Sequence, residues 1–264
     1  MRYHATLIRC FIQASIQQET AYRSNFVIGL LHSLLNFGTG LIGLSVLFNQ
    51  IDTVRGWDYA ATLGVLGVYL TVSALRDLFI GPSLESLAGM DGDVWTGRLD
   101  FTLLRPVDVQ FLASVRRWRL FALFDLLLGV GVLVVAATRL SDPLTPGDLL
   151  AFLLMLAAGV VAFYAVLLAF TGLTFWSPGF LFTWVFNDVF QMARYPVGLY
   201  PGWLRLALTW VIPVGLITTI PAQALAGDLS TRTLITSLLA SAALFAAASA
   251  VFRAGLRRYA SASS

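Results

Sequence analysis

The stretch Gly81–Trp118, GPSLESLAGMDGDVWTGRLDFTLLRPVDVQFLASVRRW, is the longest polar interruption in a chain that is otherwise almost continuously apolar. It contains five of the fourteen acidic residues and, together with Arg119, five of the seventeen arginines. Its middle part combines glycines, a tryptophan, an Arg-Pro pair and helix-compatible residues such as Leu99–Leu104. A loop that only reconnects two membrane helices could be much shorter. We therefore interpret residues 81–118 as a docking surface for another protein.

The composition argues against a water-soluble fold. Hydrophobic residues make up 58% of the 264 residues, charged residues make up 12%, and the mean hydropathy is +0.80. Apolar runs this long and numerous exceed what one soluble core buries. The small net charge of +3 gives no reason to expect a nucleic-acid partner. One cysteine and two histidines exclude a disulfide and a Cys- or His-rich metal cluster, so we expect no metal site.

Residues 1–25 are interrupted by polar side chains too often to form the apolar core of a cleavable signal peptide, and we expect none. They show helical amphipathicity instead, with Leu7 and Phe11 on one face and Arg2 and Arg9 on the other. This pattern predicts a helix that lies in the membrane interface. A short soluble cap packed on the bundle is the alternative.

Five segments are long enough to cross a membrane, since about 20 apolar residues span about 30 Å of hydrocarbon. They are Phe26–Phe48, Tyr59–Ile80, Leu120–Thr138, Leu149–Phe175 and Leu234–Phe252. A shorter aromatic segment, Phe180–Gln191, follows the fourth span. Residues 201–225 are apolar as well, but Pro213 and Pro221 are expected to interrupt helical hydrogen bonding there.

The distribution of the seventeen arginines predicts the topology. Eleven of them fall in residues 1–25, 81–119 and 253–264, and five fall in the intervening loops and broken segments. The positive-inside rule therefore places both termini and the central loop in the cytoplasm, which requires an even number of crossings. Six crossings result if residues 180–191 cross and residues 201–225 form a re-entrant hairpin shielded by protein. A kinked full span in the latter segment is the alternative.

Three runs within this arrangement resemble a known family. They are GRLDFTLLRPVD (Gly97–Asp108), PVGLYPGWLR (Pro196–Arg205) and VIPVGLITTIPAQAL (Val211–Leu225). The set resembles the permease subunit of type-2 ATP-binding-cassette exporters, in the viologen or multidrug exporter branch, over essentially the whole chain. The resemblance implies one transmembrane permease domain, residues 1–264. It would be an all-α membrane protein with six transmembrane helices, an N-terminal interfacial helix, a cytoplasmic coupling helix after the second span and a re-entrant helical hairpin before the last.

The resemblance also implies partners. Its coupling helix would sit in a cleft of a separate cytoplasmic ATPase, present in two copies, and a second permease, identical or homologous, would complete a dimer among the membrane lipids. We expect Leu84 and Leu87 to pack towards the bundle and Trp95 to be the main contact. The residues expected at the ATPase are Glu85, Met90, Asp91, Asp93, Val94, Trp95, Arg98, Asp100 and Arg105. Among them, Met90 and Val94 are expected to be exposed apolar contacts, and Asp91 and Asp93 to be charges at the rim.

ATP hydrolysis is expected on the partner and not on this chain. A chain without lysine contains no phosphate-binding G-x-x-x-x-G-K-[ST] loop. No nucleophile elbow or paired-carboxylate motif is present, so we expect no catalytic residues and no cofactor on this chain, with ATP and Mg bound by the ATPase. An intramembrane enzyme stays a minor alternative, since His32 is the only histidine within a predicted span.

Asp125 is the costliest residue of the chain, because a carboxylate within a span costs about 2.5–3.5 kcal/mol. Arg76 lies at a similar depth, so we expect the two side chains to approach within salt-bridge or water-bridged distance, which leaves Asp77 without an intramembrane partner. Otherwise Asp125 is a site for a substrate cation or a proton. Further candidates for a substrate path come from the aromatic segment, whose rings otherwise anchor it at the membrane interface. They are Trp184, Asn187, Asp188 and Gln191.

The sequence thus predicts the permease subunit of an ATP-driven exporter in a prokaryotic cell membrane, which moves amphiphilic, lipid-like or cationic drug-like compounds outward. Two alternatives belong to other classes: a proton-coupled secondary transporter with Asp125 as the proton site, and a non-transporting membrane anchor for an ATPase. The sequence shows no internal inverted repeat, which disfavours the secondary transporter.

Overall fold

The computed structural model describes residues 2–21, 23–89, 91–140, 142–177 and 182–259. Its α-helices are α1 (Arg2–Ala21), α2 (Arg23–Phe48), α3 (Tyr59–Leu75), α4 (Gly81–Leu84), α5 (Leu99–Leu103), α6 (Val109–Val115), α7 (Ala122–Arg139), α8 (Pro146–Leu173), α9 (Phe182–Phe190), α10 (Gly202–Leu206), α11 (Ile220–Leu225) and α12 (Thr231–Arg258). Wider π-helical turns occupy Arg76–Ile80, Ala207–Val211 and Gly215–Thr219, and 3₁₀ turns occupy Glu85–Leu87, Gln191–Arg194 and Val197–Leu199. Within the described ranges the one strand-like contact is the bridge between Val54 and Trp57, so the all-helical prediction is confirmed.

Five helical stretches in the described part of the chain are long and apolar enough to cross a membrane. They are Val27–Phe48, Tyr59–Leu87, Ala122–Arg139, Pro146–Leu173 and Thr231–Arg258. They coincide with the five long spans expected from hydropathy, which agrees with a membrane protein. Their ends differ from the expected ends where capping residues decide the boundary. Thr145 and Asp148 form a reciprocal capping box, for example, and start α8 earlier than hydropathy suggests.

Helix α3 lies at the centre of the bundle. In the 18-residue apolar stretch of this span, 67% of the residues are buried. It packs against α7 so closely that a methyl group placed on Gly129 would lie 2.8 Å from the backbone nitrogen of Thr71. Helices α8 and α12 approach each other similarly, since a methyl group on Gly255 would lie 2.6 Å from the carbonyl oxygen of Gly172. Small residues at these contacts let the helix backbones come together and increase van der Waals contact within the membrane.

Three segments that are distant in sequence meet at one end of the bundle, which we call the loop end. The backbone nitrogen of Trp118 donates a hydrogen bond to Ser15 Oγ at 3.1 Å, which joins α1 to the segment before α7. Gln110 Nε2 of α6 donates to Ser249 Oγ of α12 at 3.0 Å. The N-terminal helix, the central polar segment and the last third of α12 therefore share the loop end.

The opposite end of the bundle holds the connections α2–α3 and α7–α8. Arg55 Nη1 in the first of these donates to the carbonyl oxygen of Gly198 at 3.0 Å. Gly227 lies beside Asp148 at the start of α8, and a methyl group on Gly227 would be 3.8 Å from that carboxylate. The segment formed by residues 201–227 thus begins and finishes on the side of the bundle that lies opposite the loop end.

Residues 201–227 are broken once rather than twice. The break is at Ile212, which is extended, just before Pro213. Pro221 lies in the first turn of α11, directly after the π-helical turn Gly215–Thr219. The helix runs through Pro221 from Gly215 to Leu225, so Pro221 does not break it, but the hydrogen-bond pattern changes there from π to α because proline has no backbone N–H to donate.

The predicted segment Phe180–Gln191 appears as the short helix α9, while Phe180 itself lies outside the described residues. The rings of Phe186 and Phe190 pack on Phe163 of α8, with centroid distances of 5.2 and 4.7 Å. Both side chains are buried, so for them the expectation of interfacial anchors is wrong: they belong to the core. Trp184, on another face of α9, is 65% exposed.

Candidate functional site

Residues 91–98 form a series of tight turns, and the short helix α5 follows them. The backbone nitrogen of Asp93 donates to the carbonyl oxygen of Ser86 at 2.9 Å, and the nitrogen of Leu99 donates to the carbonyl oxygen of Asp93 at 3.0 Å. A methyl group on Gly92 would lie 2.4 Å from the carbonyl oxygen of Ala88, so the chain closes on itself here without room for a side chain. These contacts fix the turns to the end of the second span.

Asp93 holds this loop from inside. Its side chain has no exposed surface, and its carboxylate contacts Arg116 Nη1 at 2.5 Å and Arg98 Nε at 3.1 Å. We call these three residues the Asp93 cluster. The expectation that Asp93 would be a charge at the rim of a partner interface is wrong, because a buried carboxylate is retained only with counter-charges around it.

The loop exposes several large apolar side chains while it buries others. Trp95 is 53% exposed, Phe101 71% and Leu104 82%, and we call these three residues the loop patch. Val94, by contrast, is 5% exposed, so its expected role as an apolar partner contact is wrong. Phe101 and Leu104 were not recognised from sequence, since the helical period alone does not tell which face of so short a helix is covered.

The remaining loop residues fall into two groups. Leu84 and Leu87 are buried, which confirms that they pack towards the bundle. Asp91, Arg98 and Arg105 are exposed and Asp100 is half-buried, whereas Met90 lies outside the described residues. The surface that a partner can reach is therefore built from Asp91 to Arg105 rather than from Glu85 onward.

Glu85 lies at the end of the second span instead of on the loop surface. It accepts a hydrogen bond from Arg76 Nη2 at 2.7 Å and another from Asn187 Nδ2 at 3.0 Å. Arg76 Nη1 also contacts Asp77 at 3.0 Å. The structure thus joins α3 to α9 through three charged groups and one amide. Arg76 forms no direct ion pair with Asp125 among the described residues, so the salt-bridge form of that prediction is wrong, while a water-bridged approach stays a prediction. The expectation that Asp77 lacks a partner is wrong.

The spacing of nine residues between Arg76 and Glu85 does not predict an ion pair between them. In a continuous α-helix the two residues would lie on opposite faces and about 13.5 Å apart along the axis. The π-helical turn Arg76–Ile80 and the tighter turns after it change this geometry and bring Glu85 back to Arg76. Irregular helical turns often mark functional positions in helices.

A cavity of ≈ 800 Å³ opens beside this ion-pair network, between α1, α2, the turn at residues 82–86 and the first turns of α7. Asp77, Glu85 and Asp125 line it, and Trp118 and Phe124 form part of its wall. Its volume lies within the range of about 300–1,000 Å³ that is usual for small-molecule sites.

Asp125, like Glu19 in the same lining, forms no ion pair among the described residues. His32 and Ser33 of α2 lie beside it. Its position in the first turn of α7 provides about 0.3–1 kcal/mol of stabilisation for a negative charge. That is less than the cost of about 2.5–3.5 kcal/mol for a carboxylate at the centre of a span. A hydrogen bond with Ser33 and the charge of Arg119 also favour the carboxylate, so the protein offsets part of this cost without an ion pair.

Glu19 of α1, in the same cavity wall, is already engaged. Its two carboxylate oxygens accept hydrogen bonds from the backbone nitrogen of Leu120 at 2.9 and 3.1 Å. Burial raises the pKa of Glu19 above its usual value, although the Leu120 amide and the charge of Arg119 act in the other direction. Glu19 thus fastens the interfacial helix to the start of α7.

The other residues expected along a substrate path do not converge on Asp125. Trp184, Asp188 and Gln191 are exposed on the outer face of the α9 segment, and Asn187 turns inward to Glu85. A second cavity, of ≈ 900 Å³, lies between α8, the broken segment and α12, with Arg55 and Arg205 in its lining. Sequence patterns gave no signal for this cavity, because its walls come from segments far apart in the chain.

Long apolar helices around a central buried helix, with a folded polar loop at one end, define a multi-pass helical membrane protein. The chain matches the sequence model of the family described as "ABC-2 family transporter protein" over residues 34–263, and it belongs to that family. It is thus the membrane component of a transporter and not itself the ATPase, as the sequence motifs predicted. No curated protein and no solved structure shows significant similarity to the chain.

Proposed function

We propose that this chain is the permease subunit of an ATP-driven exporter and works with a separate cytoplasmic ABC ATPase. The observation that carries the proposal is the loop patch: Trp95, Phe101 and Leu104 are exposed on a folded loop outside the long spans. Several large apolar side chains exposed on one folded loop are a feature of protein interaction sites. The buried Asp93 cluster keeps the patch preorganised, which reduces the entropy lost when a partner binds.

The arginine distribution supports a cytoplasmic position for the loop end, where an ATPase would meet it. Six crossings are the topology that the contacts support best. Residues 182–200 run from Asn187, which contacts Glu85, to Gly198, which contacts Arg55 at the opposite end. Residues 201–227 begin and end at that same opposite end. The five long helices and residues 182–200 together make six crossings, which places both termini in the cytoplasm. Residues 201–227 then form a re-entrant hairpin.

Labelling with an impermeant thiol reagent tests this topology. In a background with Cys10 replaced, cysteines at Pro201 and at Asp228 should both react from outside the cell, because both positions are exposed at the opposite end. Asp228 is preferable to the neighbouring Gly227, whose φ of 79° strains any other residue. Labelling of only one of the two positions from outside would mean that the segment crosses the membrane.

The loop patch is tested by co-purification with the ATPase. A Trp95→Ala/Leu104→Ala variant should lose the ATPase, because truncating a dominant aromatic contact costs about 2 kcal/mol or more, which is roughly thirtyfold in affinity. Trp203→Ala is the matched control, since Trp203 is 73% exposed and lies in α10, at the opposite end. Equal ATPase retention by the loop-patch variant and the control would refute the docking surface.

The outer face of α2 supports a second permease, identical or homologous, as a further partner. In the 18-residue apolar stretch of α2, only 11% of the residues are buried by the described part of the chain. Gly38 on this helix has no atom within 4 Å of the position that a methyl group would occupy, so another helix could approach closely there. We place the complex in a prokaryotic cell membrane and in the viologen or multidrug exporter branch of the family.

Reconstituted vesicles separate the proposed function from its alternatives. With the ATPase present, ATP should drive movement of an amphiphilic or cationic compound away from the loop end. Transport that runs on a pH gradient without any ATPase would instead establish a secondary transporter. Stable ATPase binding without transport of any such compound would establish a membrane anchor.

A further inference from the structure

The cavity beside the second span holds an imbalance of charge that the protein does not correct internally. Asp77 and Glu85 share Arg76, and Glu19 is occupied by the Leu120 amide. Arg117 and Arg119, the two arginines in the lining, are exposed, and neither forms an ion pair with Asp125 among the described residues. Four carboxylates thus line the cavity with two arginines. The charge of Arg119 acts on Asp125 and Ser33 hydrogen-bonds to it, but neither an ion pair nor a backbone amide among the described residues engages Asp125.

The neighbourhood of Asp125 is suited to an organic cation rather than to a metal ion. Its near neighbours on α2 are His32 and Ser33, and no group of three His, Cys, Asp or Glu side chains in the described ranges could hold a metal. Trp118, Phe121 and Phe124 lie in the same lining, and aromatic faces attract cations that have lost their water. The carboxylate and the rings thus provide charge and apolar surface together.

The cavity is also accessible from the side of the bundle. Ile28 of α2 belongs to its lining and is 64% exposed, so the wall that α2 provides reaches the outer surface of the helix bundle. The neighbouring Gly29 has no atom within 4 Å of the position that a methyl group would occupy. An amphiphile in the adjacent membrane leaflet could enter here without crossing the polar loop.

We infer that this cavity is a binding site for lipophilic organic cations, with Asp125 as the counter-ion and Trp118, Phe121 and Phe124 as the aromatic wall. The inference rests on the proposed export function and specifies its substrate class and the place where the substrate is taken up. Because the site lies at the loop end, the cation is collected from the cytoplasmic leaflet.

Binding of tetraphenylphosphonium to the purified chain, without ATPase, tests the inference. The probe is an aromatic lipophilic cation, and tetraphenylborate has the same shape with the opposite charge. Equilibrium dialysis against detergent-only blanks should show saturable binding of the cation and at least an order of magnitude weaker binding of the anion, since like charge opposes it at Asp125. Equal binding of the two probes to the unmodified chain overturns the inference, whatever any variant does.

Three variants locate the site. Asp125→Asn should weaken tetraphenylphosphonium binding by about tenfold or more, because one member of a desolvated charge pair is removed. Asp125→Glu keeps the charge and should retain most of the binding. Asp188→Asn is the matched control, since Asp188 is exposed on α9. Undiminished cation binding by Asp125→Asn overturns the inference.

The failure of this inference is distinguishable from failure of the proposed function. The binding assay contains no ATPase, and the co-purification assay contains no cation. A chain that retains its ATPase but binds both probes equally keeps the proposed function and loses the cation site. A chain that binds the cation through Asp125 but does not bind an ATPase keeps the cation site and loses the proposed function.

Discussion

Replacing Asp93 with alanine is expected to unfold the loop at residues 88–105 while the helix bundle stays intact. Asp93 is completely buried, and the substitution leaves Arg116 without its counter-charge in a half-buried position. Removing one member of a buried pair costs about 3–5 kcal/mol. We expect the lower end of this range, about 3 kcal/mol, because the side chain of the second partner, Arg98, is 52% exposed and water compensates it.

Limited digestion with trypsin measures this effect. Arg98 is the cleavage site within the loop, since Pro106 follows Arg105 and trypsin does not cut an Arg-Pro bond, and the Asp93→Ala chain should be cut after Arg98 much faster than the unmodified chain. Loss of the folded loop should also abolish co-purification with the ATPase. Asp91→Ala is the control, since Asp91 is exposed and only its backbone oxygen is engaged, by Arg98 at 2.5 Å. Equal digestion rates for the two variants would show that the Asp93 cluster does not hold the loop.

Replacing Arg76 with methionine should destabilise the bundle itself. Arg76 is the shared partner of Asp77 and Glu85, and its loss leaves two carboxylates without a positive charge at the end of a span. We expect a cost of about 2 kcal/mol, below the range of about 3–5 kcal/mol for a fully buried ion pair, because the three side chains are 22–31% exposed and water compensates them in part. The loss of stability is measured by heating the purified chain in detergent and quantifying the remaining folded protein by size-exclusion chromatography.

A second variant shows whether the pairing is the cause. Arg76→Met combined with Glu85→Gln removes one of the two stranded charges, and the amide can still interact with Asn187. The double variant should therefore recover part of the stability that the single variant loses, which gives a measurable coupling energy between the two positions. Losses that simply add would indicate that Arg76 and Glu85 contribute independently.

Much of the fold could be predicted from sequence because the relevant signals are local. The positions of α2, α3, α7, α8 and α12 follow from runs of about 20 apolar residues, although their ends differ from the expected ones. The inward position of Leu84 and Leu87 and the exposure of Trp95 also agree with the prediction. Family membership rests on motifs that are contiguous in the chain, and the match over residues 34–263 agrees with them.

The candidate sites were less predictable, because burial within a loop depends on how the loop folds back. Asp93 and Val94 adjoin the exposed Trp95, yet both are buried, since the chain reverses at Gly92 and brings Asp93 to Arg116. A polar segment gives no periodic pattern from which these neighbours could be distinguished. Glu85 was assigned to the loop for the same reason, although its partners are Arg76 and Asn187.

The sequence by itself determined that this chain is a helical membrane protein with a polar loop after its second span, because hydropathy and arginine distribution act over short distances along the chain. Only the tertiary structure decided which charges meet. Arg76 pairs with Glu85 because irregular turns change the helical phase between them, and Asp125 faces a cavity because α2 places His32 and Ser33 beside it rather than an arginine that would form an ion pair. Such pairings depend on the rotation and contact of whole helices, which no single segment encodes.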